Sequence, residues 1–346
     1  MGRDARRGRA LTPRRDYDED DVRVRPGRRG SRPRTKERPR HEGAATGFVT
    51  AVDRGRYTVL TDGAALTAMR ARELGRKSVV VGDRVGLVGD LSGQPGSLAR
   101  IVRIEPRATV LRRTADDTDP YERVVVANAD QLVIVTALAD PAPRTGLIDR
   151  CLVAAFVGGL EPLLCLTKSD LASPDELLRV YADLGVDAVA TRRDEDPAPL
   201  RERLDGRVSV LVGHSGVGKS TLVNRLVPAA HRSVGEVSAV GRGRHTSASV
   251  VALELPGDSD SPGAGGGWVI DTPGIRSFGL AHVTPADLLA AFPDLEPGTA
   301  DCPPGCEHTA DADGCALDSW VAAGKAEPAR LASYRRLLAS RTADER

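Results

Sequence analysis

One segment constrains this chain more than any other: Gly213-His214-Ser215-Gly216-Val217-Gly218-Lys219-Ser220, followed directly by Thr221. It fits the phosphate-binding pattern G-x-x-x-x-G-K-[ST] at every fixed position. The apolar run before it, residues 208–212, predicts a buried strand, and residues 221–226 predict the first turns of a helix. A strand, a glycine-rich loop and a helix in this order predict a P-loop. The alternative interpretation is a glycine-rich turn before an ordinary helix.

Each residue type in this loop suits the binding of phosphate. Glycines lack a Cβ, so successive backbone N–H groups can surround an anion, and the helix N-terminus adds its positive end. Lys219 is expected to reach the β- and γ-phosphates, and Ser220 to offer its hydroxyl to Mg²⁺. His214 stands at a variable position, where we expect no specific role. The predicted nucleotide contacts of the loop are Gly213, His214, Ser215, Gly216, Val217, Gly218, Lys219, Ser220 and Thr221, with Lys219 also catalytic.

The start of the chain has a different composition from the rest. Residues 1–42 carry 15 lysines and arginines against 8 acidic residues, whereas the net charge of all 346 residues is only +1. Because this segment has almost no apolar side chains to bury, we predict a disordered basic arm over residues 1–43. Two interpretations stay open: the segment binds RNA electrostatically, or it is a solvated tail with no specific role.

The hydropathy pattern also bears on location. No apolar run approaches the length of a membrane span, and no hydrophobic segment follows the arginine-rich start. The sequence therefore predicts neither a transmembrane helix nor a secretory signal, and we expect a cytoplasmic protein.

Residues 44–107 show a β pattern. Short alternating segments are separated by turn residues such as Asp62-Gly63 and Gly82-Asp83. The predicted strands are Gly47–Val52, Tyr57–Thr61, Ala64–Ala68, Val79–Val88 and Leu98–Ile104. Five short strands predict a small closed barrel of the OB type that binds RNA, with a barrel that has no ligand as the alternative. Only Phe48 and Tyr57 are available for base stacking, so we expect contacts to backbone and shape.

Residues 108–283 show an α/β pattern. The apolar runs Gln131–Val135 and Pro162–Leu166 predict buried strands, and Leu147–Val157 predicts a helix between them. Further strands are expected near Val186–Ala190, Ser249–Leu255 and Trp268–Ile270. Together these elements predict a mostly parallel sheet covered by helices, with ligand at the carboxyl ends of the strands.

Two more motifs follow predicted strands of this region. In Asp271-Thr272-Pro273-Gly274, Asp271 is expected beside Mg²⁺ and the Gly274 N–H on the γ-phosphate. In Thr167-Lys168-Ser169-Asp170, an aspartate carboxylate can accept both N1–H and N2–H of guanine, and the lysine stem can pack on the base. Thr167 stands where asparagine is more usual. An ordinary helix cap is the alternative for this second motif.

Near the C-terminus, Cys302, Cys306, His308 and Cys315 give the spacing C-x₃-C-x-H-x₆-C. Four soft ligands in one short loop suit tetrahedral structural zinc, and a redox or chance cluster is the alternative. Residues 284–346 otherwise show a helical pattern, with a short helix opened by Thr284-Pro285 and an amphipathic helix over Pro328–Ala339. We predict a zinc-binding helical domain over 284–346.

The order of the motifs is informative, because the guanine motif precedes the phosphate loop. An ordinary small GTPase has the reverse order, so the sequence predicts a circular permutation. In this order, and over about residues 46–338, the chain resembles the family of ribosome small-subunit-dependent GTPases, RsgA. The resemblance also includes Asn128-Ala129-Asp130-Gln131, Gly243-Arg244-His245-Thr246 and the cysteine cluster.

The resemblance implies a GTP hydrolase that binds the 30S subunit and its 16S rRNA and acts in late maturation. It implies a multidomain α/β protein with an OB-like barrel, a circularly permuted P-loop GTPase domain and a zinc-binding tail, expected as a monomer. The chain departs from the family in three places: Thr246-Ser247-Ala248 replaces a run of threonines, Ala190-Thr191 replaces a Ser-Ala pair, and the basic arm is not a family-wide feature.

Hydrolysis needs a positioned water, and Ile275 after the Asp-Thr-Pro-Gly segment cannot orient one as glutamine does. Our hypothesis assigns this role to His245, with Thr246 helping to hold Mg²⁺ or the phosphate; a loop histidine without a catalytic part is the alternative. We therefore expect slow turnover that a partner stimulates. Rival functions are an RNA-binding checkpoint module that senses guanine nucleotide, and a P-loop ATPase.

Overall fold

The alternating segments near the N-terminus form five short strands. The structure, a computed structural model, describes residues 41–74, 78–114, 121–228, 250–256, 266–273 and 278–341. The predicted basic arm lies almost wholly outside these residues. The five strands are β1 (Ala45–Asp53), β2 (Arg56–Thr61), β3 (Ala64–Arg70), β4 (Arg84–Gly89) and β5 (Ala99–Ile104).

These five strands close into a barrel. β1 pairs with β2 and β4, β2 pairs with β3, and β4 pairs with β5, all antiparallel, whereas β3 and β5 are parallel. Alternate residues point inward, so that Val49, Val59, Leu66, Val85 and Ile101 fill the interior. The predicted barrel is confirmed.

The two aromatic residues of the barrel are not a stacking platform. Tyr57 is only 6% exposed and belongs to the barrel interior. Phe48 is partly buried, and its ring lies 5.2 Å from the ring of Trp268, centroid to centroid. Tyr57 is therefore not available for base stacking and Phe48 packs against Trp268, while the expectation of contacts to backbone and shape stays a prediction.

The strand predicted over Val79–Val88 begins later than expected. β4 starts at Arg84, because Gly82 and Asp83 turn the chain first. Asp83 is fully buried, and its carboxylate accepts hydrogen bonds from Arg107 Nε (2.7 Å) and Nη2 (2.9 Å) and from the backbone N–H of Val80 (2.8 Å). Because a buried carboxylate without partners is costly, this pairing fixes the turn against the segment that follows the barrel.

The α/β region forms the predicted sheet. Its strands are β8 (Gln131–Ala137), β9 (Glu161–Thr167), β10 (Asp187–Thr191), β11 (Val208–Gly213), β12 (Val251–Glu254) and β13 (Trp268–Asp271). Their order is β10-β9-β8-β11-β13-β12, and every pairing is parallel except that of β12 with β13. The helices are α1 (Thr145–Gly158), α2 (Asp175–Tyr181), α3 (Ala198–Leu204) and α4 (Lys219–Leu226).

Three elements of this region were not predicted: β6 (Val110–Arg113) and β7 (Arg123–Ala127), which form a separate antiparallel hairpin, and α3, which follows β10. None of them carries a long periodic pattern that would reveal it.

The barrel and the α/β sheet are joined edge to edge. β1 pairs antiparallel with β12 at Ala51 and Val251, so the two sheets form one eleven-stranded sheet. The register of β1 against β2 shifts between Val49 and Ala51. A bulge at that point bends the strand, which suits its position in both the barrel and the α/β sheet.

In the part of the chain that the structure describes, three α-helices follow the sheet: α5 (Pro285–Leu289), α6 (Ala316–Ala322) and α7 (Pro328–Ser340). Thr284 begins α5 with a capping box, in which its hydroxyl accepts from the Asp287 N–H. The apolar face of α7 contains Leu331, Tyr334 and Leu337, which are buried in the same core cluster as residues of α1. Within the described residues, no helix is long and apolar enough to cross a membrane.

A buried arginine connects three elements of this part. Arg150 of α1 is only 2% exposed. Its Nε donates to the carbonyl oxygen of Phe278 (2.8 Å), and its Nη1 donates to that of Ser340 at the end of α7 (2.5 Å). Because carbonyls at a helix C-terminus carry negative partial charge, α7 ends where it can help to balance the guanidinium.

Gly82 provides a test of the turn before β4, which packs against the end of β7. A Cβ on Gly82 (φ +90°) would lie 1.9 Å from the carbonyl oxygen of Ala127, whereas one on Gly63 (φ +76°) would meet nothing within 4 Å. We expect Gly82→Ala to lower the free energy of unfolding by about 2 to 5 kcal/mol, and Gly63→Ala by about 1 to 2 kcal/mol. Urea titration measures both. Equal losses in the two variants would contradict the proposed clash.

Candidate active site and metal centre

The three predicted nucleotide motifs meet at one edge of the sheet. β9 ends at Thr167, β11 at Gly213 and β13 at Asp271. β8 lies beside both β9 and β11 in parallel register, and β11 lies beside β13, so the carboxyl ends of all these strands share one edge. Ligands of open α/β sheets bind at such an edge.

The glycine-rich segment forms a loop between β11 and α4. Gly216 and Gly218 have φ values of +87° and +90°, in the left-handed region that favours glycine. Gly213 is needed for a different reason, because a Cβ there would lie 2.6 Å from the carbonyl oxygen of Val135. Ser220 and Thr221 are exposed in the first turn of α4, whereas His214 is partly exposed and its Nδ1 lies 2.8 Å from the Ser215 carbonyl oxygen.

Lys219 and Asp271 are brought together across this loop. The side chain of Lys219 is 8% exposed and that of Asp271 is 13% exposed. Lys219 Nζ donates to the Asp271 carboxylate and to the carbonyl oxygen of Thr272. The Thr272 hydroxyl donates in turn to the Leu211 carbonyl oxygen at 2.7 Å, which ties the segment after β13 to β11. The site thus offers a cation suited to phosphate beside a carboxylate suited to Mg²⁺.

The segment Thr167–Asp170 lies next to the loop. Thr167 is buried, and its hydroxyl donates to the carbonyl oxygen of Val217 at 2.6 Å. Lys168 has a positive φ of 59°, and its Nζ donates to the Asp140 carbonyl oxygen. The Ser169 hydroxyl donates to the carbonyl oxygen of Thr191 at 3.3 Å. Asp170 is exposed, so its carboxylate is accessible to a ligand that carries paired N–H donors.

Three predicted site residues lie outside the described residues. They are His245 and Thr246, proposed from the sequence for catalysis, and Gly274, proposed for contact with the γ-phosphate. The described part of the site therefore consists of the phosphate loop, the Thr167–Asp170 segment and Asp271 with the two residues after it.

The C-terminal cluster has the geometry of a metal centre. One ligand atom from each of Cys302, Cys306, His308 and Cys315 lies within 4.8 Å of every other. The Sγ atoms of Cys302 and Cys315 lie 3.6 and 3.7 Å from His308 Nδ1. Three thiols and one imidazole at these distances can hold a metal ion in a closed tetrahedron.

Neighbouring groups orient these ligands. The backbone N–H of Ala316, at the start of α6, donates to Cys302 Sγ at 3.3 Å. Arg335 of α7 donates from Nε to the His308 carbonyl oxygen and binds the Asp318 carboxylate at 2.7 and 2.8 Å. Burial lowers the pKa of His308, which favours the neutral imidazole that binds metals. Sequence reasoning missed Arg335, because one arginine on an arginine-rich helix gives no distinguishing signal.

Comparisons with known proteins identify relatives of this chain. A family profile described as RsgA GTPase matches residues 104–281. "Small ribosomal subunit biogenesis GTPase RsgA" of Ectopseudomonas mendocina is 41% identical over 255 residues, which cover 71% of this chain and 71% of that protein. The protein of the same name from Azotobacter vinelandii is 41% identical over 273 residues, 76% of this chain and 75% of its own length.

Two solved structures resemble the fold. YjeQ from Thermotoga maritima matches with a TM-score of 0.61 and 25% identity, over 87% of this chain and 99% of that one. YloQ, described as a circularly permuted GTPase, matches with a TM-score of 0.59 and 23% identity, over 88% of this chain and 97% of that one. The likeness to YloQ concerns the fold alone. The predicted permuted fold is confirmed.

The metal centre generates a test. Cys306→Ser should reduce the metal that copurifies from about one equivalent per chain to a small fraction, because a thiolate ligand is lost. It should also lower the free energy of unfolding by about 4 kcal/mol. Elemental analysis and thermal denaturation measure the two effects. The matched control is Cys151→Ala, which changes a buried cysteine outside the cluster and should leave the metal content unchanged.

Proposed function

The chain belongs to the RsgA GTPase family, and on that premise we propose that it is a GTP hydrolase that binds the 30S ribosomal subunit and assists its late maturation. Hydrolysis would time its release from the subunit. The observation that carries the proposal is the meeting of Lys219, Asp271 and the Thr167–Asp170 segment at one edge of the sheet. The role on the ribosome is supported by the names of the relatives.

Several segments supply the nucleotide contacts in this proposal. Lys219 and the loop N–H groups hold the phosphates, and Asp170 accepts the N1–H and N2–H of guanine. Ser220, Asp271 and Thr246 hold Mg²⁺, which would balance phosphate charge. The full set is Thr167, Lys168, Ser169, Asp170, Gly213, His214, Ser215, Gly216, Val217, Gly218, Lys219, Ser220, Thr221, Asp271 and Gly274.

The ion of the C-terminal cluster is proposed to be a single structural Zn²⁺. Thiolate and imidazole ligands match the preference of zinc, and four protein ligands leave no position for a reacting water. The thiol-rich donor set also argues against Mg²⁺ or Ca²⁺, which prefer oxygen. The metal would therefore stabilise the loop over residues 302–315, which has no large apolar side chain of its own.

The remaining chain is proposed to serve the ribosomal partner. We divide it into a basic arm (1–43), an RNA-binding barrel (44–107), the GTPase domain (108–283) and the zinc domain (284–346). Exposed arginines of the barrel, Arg54, Arg56, Arg84 and Arg100, supply positive charge toward 16S rRNA phosphates. We propose that the chain acts on this partner as a monomer, and that it does so in the cytoplasm.

For catalysis we propose that His245 positions the attacking water and that Thr246 supports Mg²⁺ or the γ-phosphate. The support is chemical, since Ile275 has no polar atom in its side chain to orient water. The same observation favours a second candidate, an assembly checkpoint module that senses guanine nucleotide with little turnover.

Base specificity can be tested by replacing one of the two carboxylate acceptors of Asp170 with an amide donor. Asp170→Asn should weaken GTP binding at least about 100-fold, because the charge-assisted bonds to N1–H and N2–H are lost. It should strengthen binding of xanthosine triphosphate, whose C2 carbonyl accepts from the new amide. Equilibrium competition measures both, with Asp175→Asn as a control at an exposed acid five residues away. Displacement of GTP by ATP from the unaltered chain would instead indicate an ATPase.

Turnover with purified 30S subunits separates the hydrolase from the sensor. We expect stimulation by a factor of about 10³ to 10⁵, as for GTPases that depend on a partner. His245→Ala should lose most of this stimulated rate while it still binds GTP. His214→Ala should retain the rate, because it removes only a side chain and leaves the backbone N–H groups of the phosphate loop in place. An unstimulated wild-type chain would favour the sensor, and a fully active His245→Ala variant would exclude the assigned role.

A further inference from the structure

One arginine lies beside the phosphate loop without a protein partner for its charge. Arg144 is exposed and stands directly before α1, where its side chain makes no capping hydrogen bond. Its backbone is anchored, because its carbonyl oxygen accepts from the Ile148 N–H at 3.1 Å. Among the residues that the structure describes, the guanidinium has neither an ion pair nor a hydrogen bond. All five of its N–H donors are therefore open to a ligand.

Arg144 and the phosphate loop line the same small cavity. Its lining includes Arg144 and Cys151 from the α1 side, and Gly213 and His214 from the loop. The cavity holds about 20 Å³, which is the room of a single water, so it is not a ligand site of its own. What it shows is that the start of α1 and the phosphate loop are close neighbours, with Arg144 on the facing wall.

The segment that leads to Arg144 is also held close to the loop. Lys168 Nζ donates to the carbonyl oxygen of Asp140. A Cβ placed on Gly216 of the loop would lie 3.7 Å from Pro141 Cδ. Residues 140–144 thus follow the phosphate loop, and Arg144 reaches the cavity beside it from an ordered stretch of chain.

The acids near Arg144 in the sequence do not balance its charge. The first turn of α1 contains no acidic residue. Asp149, further along α1, faces Arg336 of α7, whose Nε lies 3.4 Å from Asp149 Oδ2. Asp140 is exposed, and no ion pair joins it to Arg144. An unbalanced positive charge therefore lies beside a loop whose N–H groups suit an anion.

We propose that Arg144 is a further phosphate-binding residue, whose guanidinium contacts the phosphate chain of the nucleotide and adds a second positive charge to that of Lys219. A planar guanidinium can donate two parallel N–H bonds to one phosphate, which the ammonium of lysine cannot do. The inference rests on the proposed function, since it takes GTP as the ligand. It extends the candidate site to the start of α1, which none of the three nucleotide motifs includes.

The test measures the affinity of the full-length chain for a non-hydrolysable GTP analogue with Mg²⁺ by calorimetry. Arg144→Gln removes the charge, and it should weaken binding about tenfold, because charge-assisted hydrogen bonds are lost. Arg144→Lys keeps the charge and should recover part of the affinity. The matched control is Arg179→Gln, at an exposed arginine of α2, which should bind as the wild type does. Wild-type affinity in Arg144→Gln would overturn the proposal.

Ionic strength separates a phosphate contact from a purely structural role of Arg144. Salt screens the attraction between an exposed guanidinium and a phosphate. The gap in affinity between the wild type and Arg144→Gln should therefore narrow at least twofold between about 50 mM and about 500 mM salt. A gap that stays constant over this range would overturn the contact, because lost packing does not depend on screening.

The proposed function fails by a different result. A wild-type chain that does not bind the GTP analogue, or that binds the matching ATP analogue equally well, would contradict guanine nucleotide binding itself. A wild-type chain that binds the GTP analogue tightly, with an Arg144→Gln variant that binds it just as tightly, would contradict only the inference on Arg144.

Discussion

Parallel strands that are neighbours in one sheet end at the same edge, and the candidate nucleotide site of this chain depends on that constraint. β9, β11 and β13 deliver Thr167, Gly213 and Asp271 to one edge, although these residues lie far apart in sequence. The arrangement depends on which strands are adjacent and not on their order along the chain. A circular permutation can therefore place the Thr167–Asp170 segment before the phosphate loop in the sequence while the same side chains still meet.

Local patterns predicted much of this structure, and contacts between distant segments account for what they missed. The phosphate loop, the barrel strands and the cysteine spacing each carry their signal within a few residues, so the elements that hold Gly213–Thr221 were evident from the sequence. The bond from Thr167 to Val217 and the two carbonyl contacts of Arg150 join residues 50 or more positions apart. No periodicity encodes such contacts. The hairpin β6–β7 was missed because β6 has four residues, two of them arginines, and so carries neither an alternating pattern nor a continuous apolar run.

The permutation also determines which elements come after Asp271. In this chain the segment after β13 leads to Phe278 and then to the C-terminal helices, and Arg150 holds Phe278 and Ser340 through one guanidinium. Burial raises the pKa of Asp149, the residue before Arg150. Arg336 of α7, whose Nε lies 3.4 Å from Asp149 Oδ2, opposes that rise. Charged groups buried between α1 and α7 are costly to separate. The C-terminal helices are thus attached to α1, which precedes the Thr167–Asp170 segment, and to the segment that follows Asp271.

The pairing of β1 with β12 has a consequence for solubility. An exposed edge strand presents unpaired N–H and C=O groups on which another chain can add a strand. Within the described residues, the eleven-stranded sheet ends in a closed barrel on one side, because β4 pairs with both β1 and β5. At its other end lies β10, which has five residues and begins at Asp187, an exposed acid paired with Arg203. The barrel thereby shields one edge of the GTPase sheet from strand addition, and a short charged strand protects the other.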